Sequence, residues 1–394
     1  MQEDILNPSL TGFPPNLSTT APVRASVFAD DPDPAFALSG ILGAGPFALV
    51  LLFTAASTDL PALLRRAREL LPATEIAGCS TGGELCEEGY ADGRIVAIGF
   101  PAASFAAETI LIDPVDTVDS RVVVAQLQRA RQSLHRRAGD FAHELGILMV
   151  DGLSGREEHL IASLAGGLGP VPVVGGSAGD GRTYRRTQVF VAGAIHDRAA
   201  VLCLLRVGTP LKTFSFDCTR PSRTQMVVTS ADPQSRAVLR INDEPAAPEY
   251  ARLAGVPLES LGPEVFATRP VLVRAGGRHH VRSIQHVGAD GALVFFGAIA
   301  EGMVLTLSEQ SDIAAHLDEA LKGLKQEGDP SLVLAFDCLF RRIDAESRQK
   351  SREVSQILRE NKVAGFSTYG EQFGAMHVNQ TFTGVAFYDP AEAR

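Results

Sequence analysis

A chain of 394 residues with 45% hydrophobic residues can bury a large core, and its length favours two domains or one domain built from repeated units. The formal net charge of -10 argues against a nucleic-acid partner, because binding to a phosphate backbone needs clustered Lys and Arg. No apolar run approaches the roughly 20 residues of a membrane-spanning helix, and the N-terminus lacks a signal-peptide pattern, so the sequence predicts a cytoplasmic protein without a membrane partner.

The chain begins with a stretch, residues 1–20, that lacks hydrophobic periodicity and is predicted to be a flexible tail. Cysteines are odd in number and scattered, which favours reduced thiols over a disulfide framework. They are Cys79, Cys86, Cys203, Cys218 and Cys338.

Three later segments follow one plan: an apolar strand, a helix, a Gly-X-Ser turn and a second apolar strand. They run from Ala48 to Phe100, from Gly146 to Leu205 and from Ser331 to Tyr388. A strand, a helix and a glycine-rich turn are typical of βαβ units, and continuous apolar runs such as LVLLF predict strands covered on both faces. The sequence therefore predicts an α/β fold in which repeated units form mixed sheets.

The glycines and serines of the three turns coincide when the segments are aligned: Gly78, Gly175 and Gly365, and Ser80, Ser177 and Ser367. One interpretation is architectural, because such residues occur wherever a strand bends sharply. The other is functional, because backbone N–H groups in a tight turn can hold an anion or a carboxylate. The sequence leaves both open.

Between the second and third segments the pattern changes to short β runs joined by Gly-Gly and Ala-Asp-Gly, with a helix from about Ala247. This predicts an α+β antiparallel insertion in the C-terminal half, followed by a helix from Asp312 to Leu324. The predicted division of the chain is a domain of residues 21–220 and a domain of residues 221–394.

The turns supply the candidate ligand-binding residues, which are Cys79, Ser80, Thr81 and Gly82 in the first segment, Ser177, Ala178, Asp180 and Arg182 in the second, and Ser367, Tyr369 and Glu371 in the third. Asp180 and Arg182 could bind the ammonium and the carboxylate of an amino acid. Alternatively, Asp180 caps a turn and Arg182 lies in solvent.

Cys79 lies at the apex of the first turn, where a thiol could act as a nucleophile. The other two segments carry Gly176 and Phe366 at this position, so the fold does not require a thiol there. We therefore expect a small buried residue and a protein that is not an enzyme, with a Cys79-dependent activity as the alternative.

His377 is the chain's last histidine and a candidate axial ligand of haem iron, with Asn379 or Glu371 holding its second ring nitrogen. Alternatively it hydrogen-bonds the turn before the last strand. His280 is a competing metal ligand, since it alternates with Arg282 on one strand face and the two could serve the iron and a propionate. This strand could equally be a solvated hairpin face.

Six motifs in this order resemble the paired N- and C-terminal FIST domains of bacterial sensory proteins: GCSTGGE, GGSAGDG, INDEPAAPEYARLAG, IAEGM, GFSTYGEQ and HVNQT. The resemblance extends from about Ala21 to Tyr388. It implies a small-ligand sensor, for amino acids or similar metabolites, that reports to a separate signalling protein. One branch of the family comprises stand-alone haem proteins that sense nitric oxide, and the ending MHVNQTFTGVAF is similar to that branch. Many relatives read His-Asn-Gln-Thr there, whereas Val378 follows His377 in this chain.

Three functional hypotheses follow. The first is a stand-alone sensor that binds haem b and nitric oxide and regulates a histidine kinase or a diguanylate cyclase. The second is a haem-free receptor for an amino acid or similar metabolite. The third is a cysteine-dependent enzyme. Association into a homo-oligomer is left open.

Overall fold

The computed structural model describes residues 20–275 and 277–390, so the predicted tail lies outside the described residues except for Thr20. Within the described part, no helix is long and apolar enough to cross a membrane. The structure is built from three units with the same order of elements: strand, helix, strand, helix, strand, a short hairpin and a closing strand. This confirms the α/β fold class and the threefold repeat.

Unit 1 consists of β1 (Val23–Phe28), α1 (Pro34–Leu42), β2 (Phe47–Thr54), α2 (Leu60–Leu70), β3 (Glu75–Ser80), the hairpin β4 (Glu84–Cys86) and β5 (Gly89–Ala91), and β6 (Arg94–Pro101). Unit 2 consists of β7 (Phe105–Ile112), α3 (Ser120–Arg137), β8 (His143–Val150), α4 (Glu157–Leu168), β9 (Val173–Ser177), the hairpin β10 (Val189–Val191) and β11 (Ala194–His196), and β12 (Ala200–Val207).

Unit 3 opens with β13 (Leu211–Asp217) and is then interrupted by an inserted domain. The inserted domain contains β14 (Thr219–Asp232), β15 (Ala237–Ile241), β16 (Glu244–Pro245), α5 (Ala246–Ala254), α6 (Pro263–Thr268), β17 (Val271–Ala275), β18 (Arg278–Arg282), β19 (Ile284–Val287), β20 (Leu293–Phe295) and β21 (Val304–Gln310). Its strands form one antiparallel sheet in the order β18-β17-β21-β14-β15-β20-β19, with β16 beside β15, which confirms the predicted antiparallel insertion. The domain division predicted near residue 220 stays a prediction.

The chain then returns to unit 3 with α7 (Ile313–Leu324), β22 (Pro330–Cys338), α8 (Leu339–Ser347), α9 (Ser351–Glu360), β23 (Val363–Thr368), the hairpin β24 (Glu371–Phe373) and β25 (Met376–Val378), and β26 (Thr381–Tyr388). Two helices, α8 and α9, connect β22 to β23 where the sequence predicted one helix, so unit 3 has one helix more than the other two units. In all three units the first helix is capped by an aspartate whose carboxylate accepts from the backbone of the first turn: Asp33, Asp119 and Asp312.

Each unit forms four strands of a six-stranded sheet, and a hairpin from another unit completes it. The sheet orders are β1-β6-β2-β3-β10-β11, β7-β12-β8-β9-β24-β25 and β13-β26-β22-β23-β4-β5. The two strands that flank the second helix of each unit are parallel, as expected for βαβ units. Because unit 1 lends its hairpin to unit 3, unit 3 to unit 2 and unit 2 to unit 1, the three units form a closed ring, called the repeat body below.

The core of the repeat body lies where the three sheets face one another. Phe53 packs against Phe336 and Phe366, with ring centroids 6.3 and 4.8 Å away, so strands of units 1 and 3 meet there. The opposite face of each sheet is covered by the helices of its own unit. The strands are therefore covered on both faces, as their continuous apolar runs predicted.

The Gly-X-Ser segments were predicted to be turns. In the structure they lie at the ends of β3, β9 and β23. A Cβ atom on Gly78, Gly175 or Gly365 would lie 1.9, 1.9 or 1.8 Å from a carbonyl oxygen of the neighbouring parallel strand. Only glycine fits at this position, because the backbones approach too closely for a side chain. The repeated glycine thus reflects strand packing.

Candidate ligand site between the repeat body and the inserted domain

The three Gly-X-Ser segments converge and are joined by a ring of backbone hydrogen bonds. In each, the N–H two residues after the serine donates to the serine carbonyl of another unit: Gly82 to Ser367 at 2.8 Å, Gly179 to Ser80 at 3.0 Å and Tyr369 to Ser177 at 3.2 Å. These three N–H groups lie where an anion site was one of the two interpretations, and all three donate to carbonyl oxygens of the protein itself.

Threonine–glutamate pairs stabilise the hairpin bases in units 1 and 3. The Thr368 hydroxyl donates to Glu371, and Glu371 also accepts from the N–H and the hydroxyl of Thr381 at 3.1 and 2.8 Å. In unit 1 the Thr81 hydroxyl donates to Glu84, which accepts from the backbone N–H of Arg94 at 3.1 Å. Burial raises the pKa of Glu371 to about 8 and that of Glu84 to about 7. Both carboxyls tie a hairpin to the closing strand of its own unit.

Asp180 and Arg182 do not form a two-ended site for an amino acid. The Asp180 carboxylate accepts from the Thr183 and Tyr369 hydroxyls and from the backbone N–H groups of residues 184–186. Burial acts to raise the pKa of Asp180, but these hydrogen bonds outweigh it and lower the pKa. Arg182 points away and pairs with Glu346 on α8. The geometry is that of an aspartate organising a loop.

Cys79 lies in the central core, and its side chain is 0% exposed. Burial raises the pKa of this thiol well above its usual value, which is the opposite of what a nucleophilic cysteine requires. Ser177, Ala178 and Ser367 are fully buried, and Ser80 and Thr81 are nearly so. These predicted site residues therefore pack within the body.

His377 is buried on the hairpin strand β25 and has an amide at each ring nitrogen. Nδ1 lies 3.1 Å from Gln372 Nε2, and Nε2 lies 3.4 Å from Asn379 Nδ2. A neutral imidazole carries one proton, so one of the two amides presents its oxygen to the ring. The Gln372 amide nitrogen also donates to the Ser177 hydroxyl at 3.3 Å, so His377 is held by amides from both sides.

This packing does not fit an axial haem ligand. The backbone of Gly370 lies against the ring, since a Cβ there would be 2.3 Å from His377 Cε1 and 2.8 Å from Nε2. Burial lowers the pKa of His377 to about 4, so the ring is neutral at pH 7. His280 lies half-buried on β18, two residues from Arg282 and on the same strand face. Among the described residues, no group of three or more His, Cys, Asp or Glu side chains is placed to hold a metal ion.

A charged cluster lies where the inserted domain meets α4 and β25. We define the junction cluster as Glu158, Arg236, Arg282, His377 and Asn379. The Glu158 carboxylate accepts from Arg236 at 2.5 Å and from the Ala298 N–H at 2.7 Å, so it connects α4 to two segments of the inserted domain. A Cβ on Gly297 would lie 3.2 Å from Arg282 Cδ, 3.3 Å from Glu158 Oε1 and 3.4 Å from Asn379 Oδ1. These side chains therefore surround one backbone position.

Two polar atoms of the junction cluster have no hydrogen-bond partner among the described residues. They are Arg282 Nε and Asn379 Oδ1, and both atoms are buried. Unpaired buried donors and acceptors are costly, so such a pair marks a place for a bound polar group. The predicted sites included His377 but not Glu158 or Arg236, because no local pattern sets those two apart from surface charges.

Next to the junction cluster, four aromatic rings connect the inserted domain to the repeat body. Tyr184 lies 4.6 Å from Tyr369 and 5.9 Å from Phe296, and Phe340 lies 5.6 Å from Phe296, measured between ring centroids. The Tyr184 hydroxyl is buried and has no partner among the described residues. Tyr369, one of the predicted ligand-binding residues, therefore lies where the inserted domain packs against the repeat body.

These features define a repeated α/β protein whose inserted domain closes over an incompletely paired polar cluster. The chain belongs to the FIST family: residues 48–244 match the FIST N domain, and residues 246–374 match the FIST C domain. The boundary between the two matches falls inside the inserted domain, after β16. FIST domains are sensor domains of signal transduction. No curated protein matches the chain.

Proposed function

We propose that this FIST protein is a haem-free receptor for a small metabolite that carries a carboxylate, such as an amino acid, and that the ligand binds at the junction cluster. The proposal rests on the buried, unpaired Nε of Arg282. Guanidinium groups bind carboxylates through paired hydrogen bonds, and Nε is one of the donors used for this.

The charges of the junction cluster favour an anionic ligand. Arg236 and Arg282 bring two positive charges, Glu158 supplies one negative charge, and His377 is neutral at pH 7. The adjacent Glu157 also pairs with Arg236, but burial raises its pKa to about 7, so it supplies only part of a second negative charge. Burial lowers the pKa of Arg282, and repulsion from Arg236 adds to this effect, against the attraction of Glu158. A ligand carboxylate next to Arg282 would relieve this excess of positive charge.

The second recognition group is the Oδ1 atom of Asn379, which can accept a hydrogen bond from a ligand ammonium or hydroxyl group. The Gly297 backbone lies against both residues, since a Cβ there would be 3.2 Å from Arg282 Cδ and 3.4 Å from Asn379 Oδ1. We propose that a ligand with a carboxylate and a neighbouring amino or hydroxyl group bonds to Arg282 Nε and Asn379 Oδ1 together.

Binding at this position gives a route for the signal. Arg236 of the inserted domain pairs with both Glu157 and Glu158 on α4, at 3.2 and 2.5 Å. A ligand carboxylate at Arg282 lies close to the ion pairs of Arg236 with Glu157 and Glu158. It therefore changes how the inserted domain contacts the repeat body. We propose that this change is read by a separate signalling protein, for which a histidine kinase or a diguanylate cyclase is the candidate that the family resemblance implies.

Thermal unfolding in the presence of the standard amino acids, succinate and malate tests the proposal. A ligand that binds only the native state stabilises it by about 1.4 kcal/mol at ten times its Kd. We expect at least one of these compounds to raise the Tm of the wild type and not that of Arg282→Met, which keeps the length of the side chain. His279→Ala, an exposed change on the same strand, is the matched control and should respond like the wild type. Stabilisation that persists in Arg282→Met would place the site elsewhere.

A further inference from the structure

The outer edge of the sheet of unit 2 is formed by β7, which within the described part of the chain pairs with β12 alone. The Asp151 N–H donates to the Ala199 carbonyl at 2.9 Å. In the antiparallel register, the backbone groups of odd-numbered β12 residues therefore hydrogen-bond to β8, and those of even-numbered residues hydrogen-bond to β7. By the antiparallel register, the even-numbered residues of β7 bond to β12. The backbone groups that point away from the sheet therefore belong to Phe105, Ala107, Thr109 and Leu111.

The corresponding edge strands of the other two sheets are shorter and carry more charge for their length. Protein sheets usually protect an exposed edge with charged side chains, proline or a short strand. β1 carries Arg24 within six residues, and β13 carries Lys212 and Asp217 within seven. β7 has the sequence FAAETILI, with eight residues, no proline and one charge.

The single charge on β7 does not protect its edge, because it is turned towards α3. The Glu108 carboxylate accepts from Ser133 at 2.8 Å and from Arg137 at 2.7 Å. Arg137 also donates to the outward carbonyl of Ala107 at 2.9 Å. The edge that is open to a further strand is therefore the half that contains Thr109 and Leu111.

A groove of about 610 Å³ runs between this half of β7 and α3. Thr109 and Leu111 line it on the strand side, and Arg129 and Arg136 on the helix side. Both arginines are exposed, and neither forms an ion pair with a described residue. A groove between an edge strand and a helix is the geometry by which peptide-binding domains add an extended peptide to a sheet.

We propose that this groove is the docking surface for an acidic, extended segment of a partner protein, which adds to β7 as a seventh strand. Its backbone pairs with Thr109 and Leu111. Because side chains alternate along a strand, every second residue of the segment faces α3, and acidic residues there meet Arg129 and Arg136.

A second copy of this chain is the less suitable occupant. Two copies that pair β7 with β7 about a twofold axis would place both α3 helices on the same face of the joined sheet. Arg129 and Arg136 of one copy would then approach those of the other, and like charges at an interface are unfavourable. An acidic strand removes this repulsion, whereas a second copy adds it.

The probe is a fluorescein-labelled peptide of alternating valine and glutamate, titrated with the full-length protein at low salt and followed by fluorescence anisotropy. We expect saturable binding that weakens as salt is added, and no comparable binding of the same peptide with lysine in place of glutamate. Hydrogen exchange should show new protection at Thr109 and Leu111 in the complex.

Two variants separate the charge from the backbone pairing. Arg129→Glu with Arg136→Glu should weaken the affinity by about tenfold or more, because it replaces two attractive charges with two repulsive ones. Thr109→Pro removes an outward N–H and is tolerated at an edge position, so it should abolish binding without unfolding the protein. Arg121→Glu, the same charge change at an exposed position at the start of α3, is the matched control and should bind like the wild type.

Several results would overturn the proposal. They are equal binding of the lysine peptide, no binding of the glutamate peptide at millimolar concentration, and an equal loss of affinity in Arg121→Glu. A wild type that is dimeric by light scattering and becomes monomeric on Thr109→Pro would assign the β7 edge to a second copy instead.

Discussion

Glu371→Gln is the change for which the structure gives the clearest quantitative expectation. Burial raises the pKa of Glu371 from 4.5 to about 8, although Thr368 and Thr381 donate hydrogen bonds that act to lower it. A carboxyl group with a higher pKa in the folded state binds its proton more tightly there. Its contribution to stability is therefore complete below the unfolded-state pKa and is lost as the pH rises towards the folded-state pKa.

The size of this effect follows from the difference between the two pKa values. About 3.5 pH units correspond to about 5 kcal/mol of stability lost at high pH, and about 4 kcal/mol of this falls between pH 5 and pH 9. Glutamine has the shape of the protonated acid and does not titrate. The free energy of unfolding of Glu371→Gln, relative to the wild type, should therefore rise by about 4 kcal/mol from pH 5 to pH 9.

Urea unfolding of both proteins at pH 5, 6, 7, 8 and 9 measures this difference directly. Glu84→Gln is the matched control, because Glu84 makes the equivalent contacts in unit 1 and its pKa is raised only to about 7. Its relative stability should rise by a smaller amount, about 2–3 kcal/mol over the same range, and level off at a lower pH. A difference between Glu371→Gln and the wild type that is constant with pH would show that Glu371 does not hold a proton in the folded protein.

Three further changes test other parts of the structure. Asp337→Asn leaves the buried Arg341 guanidinium without the carboxylate that lies 2.7 Å away. It should lower the free energy of unfolding in urea by about 3–5 kcal/mol, whereas Asp337→Leu combined with Arg341→Met should recover most of this loss. Asp180→Asn weakens the acceptor for three backbone N–H groups and should lower the Tm, with faster hydrogen exchange at residues 184–186 and unchanged exchange in β2. The haem hypothesis stays a prediction, and an absorbance spectrum after incubation with haemin tests it. We expect the Soret absorbance of His377→Ala to equal that of the wild type. If the wild type shows a Soret band that this variant lacks, His377 is a haem ligand.

The repeat could be predicted from the sequence because each unit carries its own local signals. Strands such as β2 and β22 are continuous apolar runs, and the helices between parallel strands have periodic leucines. The glycines at positions 78, 175 and 365 aligned for a physical reason, since each meets a backbone carbonyl where no Cβ fits. The prediction that they lie in turns was wrong, because a glycine required by a close strand looks the same in sequence as one required by a bend.

The exchange of hairpins among the units was set by the tertiary structure. β4, β10 and β24 are three residues long, and such short strands have no local preference for one sheet over another. Their partners are chosen by the closing of the ring. The closing of the ring also brings N–H groups, such as that of Gly82, against carbonyl oxygens of another unit. The sequence could not predict that these N–H groups have hydrogen-bond partners within the protein.

The junction cluster shows the same division. The sequence alone placed Arg282 on a strand face beside His280 and His377 in a polar stretch before the last strand, and it raised both as possible haem contacts. Only the folded chain brings Glu158 and Arg236 beside them, from positions 78 residues apart in the sequence. Hydrophobic periodicity specifies which face of an element is buried, whereas the pairing of charges depends on which elements meet, and this is decided when the inserted domain packs against the repeat body.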